Sequence, residues 1–315
     1  MKKLFILLAA VALTAMSAKV FAQTNTGTEP SIGSIHKYWV NGTFETPTEA
    51  GETSTYTWWI STTPGNLLTP TALTSDFEVI TTNGGVEYNT GTVGGNSIEL
   101  KWNPTASTTN YYYLVVQEVG VDPLCTNIKA IPILPTNNFT LLFEALASDG
   151  TTLTDDPTRC PVDIALSADG ADITYNYGTD NFMFKLTASD LYSSWSFVGT
   201  FVETINTDVT VEYKIGEAGT FAEWDDEPNL TVPANGAGSE VVYFRVNVNN
   251  GTSDDAAFEE NLSEKTITLT LSDVEDDGEN AVTEITNNAG TDITATPVQT
   301  QTIQARPSTT GIQTD

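Results

Sequence analysis

The chain has 315 residues, 39% of them hydrophobic, and 12 Lys and Arg against 41 Asp and Glu, a formal net charge of -29. Such a field argues against nucleic acid or anionic lipid as partner, since both require basic patches. Aromatic residues at 10% argue equally against a disordered acidic tail, and the length provides for roughly two ordinary domains.

The chain opens Met1-Lys2-Lys3, runs apolar from Leu4 to Ala15, and reaches Val20-Phe21-Ala22 before Gln23. A basic start, a short apolar run and small residues at the cut are the parts of a secretory signal peptide, residues 1–22. Ala18 is the second position for the cut. The run is shorter than the ~20 residues that a bilayer span needs, so export rather than anchoring is expected, and no later segment reads as transmembrane. The mature chain is placed at the cell surface, in the extracellular space or in the periplasm. Losing Lys2, Lys3 and Lys19 leaves nine basic residues. Residues 23–149 hold three of them with 12 acids; residues 150–315 hold six with 29 acids.

After a polar lead-in, stretches at 35–40, 55–61, 76–81, 97–102 and 111–119 are strand-like, separated by Gly, Pro and Asn turns. Tyr56-Thr57-Trp58-Trp59-Ile60, Ile98 to Asn103 and Tyr111 to Glu118 alternate apolar and polar side chains, the pattern of half-buried strands, with Trp58 and Trp102 facing inward. Extended segments follow at Ile128–Leu134 and Phe139–Leu146. Residues 136–159 are expected to connect two units, with Phe139–Ala147 as the first strand of the second or the last of the first. Beyond Cys160, period-two runs recur at Val162/Ile164/Leu166, Ile173/Tyr175/Tyr177, Phe182/Phe184/Leu186, Trp195/Phe197, Val209 to Ile215, Val242 to Val248 and Ile267 to Leu271. A closing strand is expected near Thr302–Pro307. No stretch sustains a 3.6-residue period. The expected fold is all-β: two antiparallel Ig-like β-sandwich domains in tandem, 23–135 and 160–307, with very little helix and a tail at 308–315.

Four pieces of the first unit carry a resemblance: Gly33-Ser34-Ile35-His36-Lys37-Tyr38-Trp39-Val40, Tyr56-Thr57-Trp58, Ile98-Glu99-Leu100-Lys101-Trp102, and Tyr112 to Val116 followed by Cys125. Over about 31–127 the chain resembles the Ig-like and PKD-like modules of secreted and cell-surface Bacteroidota proteins, with Leu100 where those modules usually carry Val. The resemblance implies a sandwich fold and is almost silent on activity. Many such modules accompany the type IX secretion system, whose usual sorting signature is not found at 240–315.

The chemistry-bearing residues are few. With His36 as the single histidine, no Gly-x-Ser-x-Gly elbow and no His-Glu-x-x-His helix, no catalytic residues are nominated and an enzyme is not expected. Trp59, Tyr111 and Tyr113 fall opposite the inward faces of their strands. They could stack on a sugar or a partner protein, or pack beneath a loop or the second unit. Asp273, Glu275, Asp277 and Glu284 take positions 1, 3, 5 and 12 of an EF-hand-like calcium loop, with Gly278 at position 6. Flanking strands instead of helices favour a solvated acidic hairpin, and no other cofactor is implied. Cys125 and Cys160 allow a disulfide closing a 36-residue loop, worth roughly 3–4 kcal/mol, or two separate thiols. The functional expectation is an exported structural or interaction protein of the cell surface, an adhesin or a component of an extracellular assembly. It would associate with itself or with other surface or outer-membrane proteins; the alternative is a carbohydrate-binding module.

Overall fold

The structure is a computed structural model that describes residues 25–40, 55–71, 75–82, 96–120, 126–147, 149–150, 158–170, 172–203, 208–224, 229–234, 238–253 and 263–307. Among these residues the chain is all-β, with no helix long and apolar enough to cross a membrane. The first strands are β1 (Ile35–Trp39), β2 (Thr55–Ser61), β3 (Phe77–Thr82), β4 (Ser97–Trp102), β5 (Tyr112–Val119) and β6 (Thr126–Ile133). There follow β7 (Thr140–Leu146), β8 (Thr158–Arg159), β9 (Ala165–Asp169), β10 (Asp172–Asn176), β11 (Thr179–Ser189), β12 (Trp195–Glu203) and β13 (Asp208–Ile215). The last are β14 (Ala222–Glu223), β15 (Asn229–Val232), β16 (Ser239–Asn249), β17 (Lys265–Asp276), β18 (Glu284–Thr286) and β19 (Val298–Ile303).

Two three-stranded sheets, β1-β4-β3 and β2-β5-β6, contribute to one hydrophobic core. Alternation places Ile98, Leu100 and Trp102 of β4 and Tyr112, Leu114 and Val116 of β5 inside it. Trp102 is fully buried, its ring 4.9 Å from that of Tyr112 and 5.9 Å from that of Phe77. A second core lies between a six-stranded sheet, β14-β13-β16-β11-β7-β18, and a five-stranded sheet, β15-β12-β17-β19-β8. Strand β11 shows why it forms: Asp180, Phe182, Phe184, Leu186 and Ala188 are buried while the residues between them are half-exposed. The aromatic centre of this core joins Phe184, Phe197, Phe201 and Phe244 by edge-on contacts.

Two expectations on organisation are corrected by the strand order. Within 136–159, expected to be a connection, Phe139–Ala147 takes the first of its two expected places, as strand β7 of the six-stranded sheet, and β8 joins the edge of the five-stranded one. Phe139, Leu141 and Phe143 belong to the second core, which therefore begins well before Cys160. Conversely, 160–177 contributes little to that core. Strands β9 and β10 form a two-stranded sheet of their own; β10 is also tied to residues 251–253 at Tyr175–Tyr177, and every residue of β9 is exposed. The leader 1–22, Cys125 and the tail 308–315 lie outside the described residues.

The two cores meet at a joint made of side-chain amides and close-fitting glycines. Asn280 Nδ2 donates to Pro104 O at 2.8 Å, Asn138 Nδ2 to Ser31 Oγ at 2.9 Å, and Asn25 Nδ2 to the Tyr192 hydroxyl at 3.3 Å. Gly33 has φ +82° and lies so near Tyr192 that a Cβ would stand 2.6 Å from the tyrosine Cβ. At Gly278 a Cβ would stand 2.3 Å from Pro104 Cβ and 2.8 Å from its backbone carbonyl carbon. Gly278→Ala is expected to force the two cores apart at this point and cost about 1–3 kcal/mol, as overpacking does. A thermal melt would read the loss, and an unchanged melt would mean that the joint is not held there.

Candidate functional site

An apolar groove of about 490 Å³ lies between the two sheets of the first core. It opens because each sheet ends there among the described residues: β1 is the edge of one and β6 the edge of the other. Trp58, Leu114 and Val116, the inward residues of β2 and β5, form its floor. Trp39, 64% exposed, and Ile131 stand on opposite lips. Strand β6 pairs with β5 across its whole length yet is exposed at all but two positions, so an apolar edge faces solvent. Edge strands of this kind invite pairing with another chain.

The groove is also where the positive charge of the first unit gathers. Of the three Lys residues between 23 and 149, Lys37 and Lys129 line it, together with His36. Elsewhere the chain is overwhelmingly acidic, and Lys37 itself stands opposite Glu99 in the β1–β4 register. The lead-in 25–31 closes one end: Leu134 and Thr136 donate their N–H groups to Thr28 O and Pro30 O, both at 2.9 Å. The Tyr38 hydroxyl donates to Gly27 O at 2.8 Å, and burial pushes that hydroxyl's pKa up to about 12.

His36 is part of this closure. Its Nε2 lies 2.6 Å from Asn25 Oδ1 and 3.0 Å from Ser34 Oγ, and burial holds the imidazole below its ordinary pKa. A Ser–His approach of this length resembles a nucleophile and its base. However, Ser34 is buried and its hydroxyl donates to Ser31 O at 2.5 Å. The pair fixes the lead-in against β1.

The three aromatic positions nominated from sequence fare differently. Trp59 is buried at 6% exposure, and its Nε1 donates to Leu67 O at 2.8 Å. The segment after β2 folds back over it, with Thr71 N donating to Ile60 O, so its face is covered. Tyr111 is exposed, and its ring lies 6.5 Å from that of half-buried Tyr113. What sequence reading missed is the β1–β6 edge pair; the signal was Trp39 and Ile131 on strands with lysine neighbours.

The acidic segment nominated for calcium is mostly strand and turn. Asp273 and Glu275 lie on β17, Asp277 in the turn after it and Glu284 on β18. Asp276 organises this turn: its carboxylate accepts from Gly278 N and Asn280 N, both at 2.9 Å. Burial raises the Asp276 pKa, and the Asn280 and Gly278 donors oppose that shift. Among the described residues no three His, Cys, Asp or Glu side chains come together as metal ligands. Cys160 is exposed.

No family model and no curated protein matches the chain. Among solved structures, the secreted serine protease VesC from Vibrio cholerae aligns over 81% of this chain and 46% of its own, at 10% identity and a TM-score of 0.23. The collagen adhesin CNA from S. aureus aligns over 79% of this chain and 83% of its own, at 7% identity and a TM-score of 0.22. The chain thus spans a little under half the length of VesC. Neither alignment carries weight for fold or activity, and the class rests on the strands: an all-β protein of several sheets with an open-edged apolar groove.

Proposed function

We propose that this chain is an exported, non-enzymatic interaction protein, a component of an assembly on the bacterial surface, built of two Ig-like sandwiches. The observation that carries the reading is the groove: an apolar floor between two edges that are unpaired among the described residues, with lysines at its rim in an otherwise acidic chain. A site of that form receives a polypeptide strand more readily than a small substrate. The resemblance of residues 31–127 to modules of Bacteroidota surface proteins points the same way and makes association with type IX secretion the route to examine. Chemical cross-linking of tagged protein in intact cells, followed by fractionation, tests it. Cross-linked species in the surface fraction are expected; an uncross-linked periplasmic monomer would overturn the reading.

Glycan binding is the second reading, favoured by the exposed ring of Tyr111 beside Tyr113. With Trp59 covered, these two are what remain of the three aromatic positions nominated from sequence. Glycan-array binding that is lost in Tyr111→Ala would move this reading to first place.

A further inference from the structure

We infer that Lys265 and Asn250 become joined by an intramolecular isopeptide bond, which the folded chain makes for itself with Asp180 carrying the proton. The bond lies in the second core and involves no residue of the groove.

Three polar side chains meet at the end of an apolar core. Lys265 is 2% exposed, Asn250 0% and Asp180 4%. Lys265 opens β17 of the five-stranded sheet, Asn250 follows β16 of the six-stranded one, and Asp180 lies on β11 beside β16. Their neighbours in register, Ile303 opposite Lys265 and Val248 opposite Asp180, are fully buried. Phe182 and Ile267, two residues further along β11 and β17, continue the apolar wall. An amine is costly to keep charged in such surroundings, and burial favours its neutral, nucleophilic form.

The three groups are arranged as nucleophile, amide and proton carrier. Lys265 Nζ lies 2.5 Å from Asn250 Oδ1. The amide carbon is one C=O bond of ~1.23 Å from that oxygen, so the amine stands at most ~3.7 Å from the carbon. A near-attack arrangement needs ~3–3.5 Å, within reach of a small turn of the lysine side chain. The amide nitrogen is held on the other side: Asn250 Nδ2 donates to Asp180 Oδ2 at 3.0 Å and to Tyr177 O at 3.2 Å. Asp180 thus touches the atom that must leave, and its own Oδ1 is fixed by Val162 N at 2.9 Å.

The step balances with no further reactant. Lys265 Nζ attacks Asn250 Cγ as the neutral amine; the Nζ–Cγ bond forms and the Cγ–Nδ2 bond breaks. Asp180 takes the proton that the amine gives up and passes it to Nδ2, which leaves as ammonia. No oxidation or reduction occurs, and the Asp180 carboxylate is regenerated. The product also suits the charges around it. Lys265 and Arg159 set two cations beside Asp180, and Arg159 is drawn electrostatically to that carboxylate. Amide formation removes the lysine charge and leaves Arg159 and Asp180 as a neutral pair, the form in which buried charges persist. The bond links the two sheets that enclose the second core and closes residues 250–265 into a ring.

Mass measurement and peptide mapping of the purified protein provide the test. The intact chain is expected to weigh less than its sequence by one ammonia. Pyroglutamate at a Gln23 start or a succinimide at Asn250-Gly251 would shed ammonia too, so the map decides. A Glu-specific protease cuts at Glu240, Glu259, Glu264 and Glu275. Segments 241–259 and 265–275 are expected as one branched species, joined from Asn250 to Lys265. Lys265→Met and Asn250→Ala are each expected to release the two segments separately. Asp180→Asn keeps both bonding partners and an acceptor oxygen. It is expected to slow bond formation ~100-fold or more, the share of a positioned proton carrier, read as the branched fraction over time after synthesis. An Asp180→Asn chain that bonds as fast as the wild type would remove Asp180 from the step. Should a variant fail to fold, the wild-type map still decides: segments 241–259 and 265–275 found apart in the folded wild type would overturn the bond.

Discussion

Replacing Asp180 by alanine is expected to lower the unfolding free energy by about 3–5 kcal/mol, the cost of removing one member of a buried charged cluster. Asp180 is buried in the second core; its Oδ2 accepts from Asn250 Nδ2 at 3.0 Å and its Oδ1 from Val162 N at 2.9 Å. Asn250 is itself fully buried and accepts from the buried Lys265 ammonium at 2.5 Å. Arg159 lies over the Phe182 ring, its centroid 5.0 Å away. Burial lowers the guanidinium's pKa and Asp180 counters that shift. The alanine variant removes the carboxylate from this cluster. Asp180→Asn keeps an acceptor and most of the volume, so a smaller loss is expected. Urea unfolding with matched slopes separates the two, and a loss under ~1 kcal/mol for alanine would mean that the cluster is hydrated rather than buried. The same substitution releases Val162, the residue that leads into β9, so it is expected to loosen the hairpin as well.

Trp102→Ala should cost a similar amount, about 3–5 kcal/mol, but in the other core. The indole is fully buried between Phe77 and Tyr112, and its Nε1 donates to the Tyr38 hydroxyl at 3.4 Å. Alanine leaves a cavity and takes one donor from the Tyr38 hydroxyl, which keeps its bond to Gly27 O; Trp102→Phe leaves a smaller cavity. Because the cores are separate clusters, scanning calorimetry is expected to show the lower-melting transition of the Trp102 variant moving while the other stays. A single transition moving as a whole would show that the joint couples the cores into one cooperative unit.

The strands themselves were largely legible in the sequence, because period-two alternation is a direct imprint of a pleated strand. Ile98/Leu100/Trp102 and Phe182/Phe184/Leu186 are read correctly as both strand and core. Alternation says that one face is apolar, but not what covers it. That is why Leu166, Ile173 and Tyr175 read as core and stand in solvent, while Trp59 reads as an outward ring and lies under the segment that follows β2. The boundary at Cys160 was misplaced for a related reason. The Pro and Asn residues around Phe139–Leu146 look like a linker and leave that strand open to either unit; its partners, β11 and β18, are distant in sequence. The acidic run after Asp273 matched a calcium loop in spacing alone. Its glycine is required by the approach of Pro104.

The joint has a consequence for how such a protein would respond to its surroundings. Its cross-core bonds are amide groups donating to neutral oxygens, from Asn25, Asn138 and Asn280, together with steric contacts at Gly33 and Gly278. None of them carries a net charge, so ionic strength has little hold on them. Contacts that set Lys37 or Lys129 against carboxylates are screened within a Debye length of about 10 Å at 0.1 M salt. Salt would therefore act as a dial on what the groove holds, while each molecule keeps its own shape throughout.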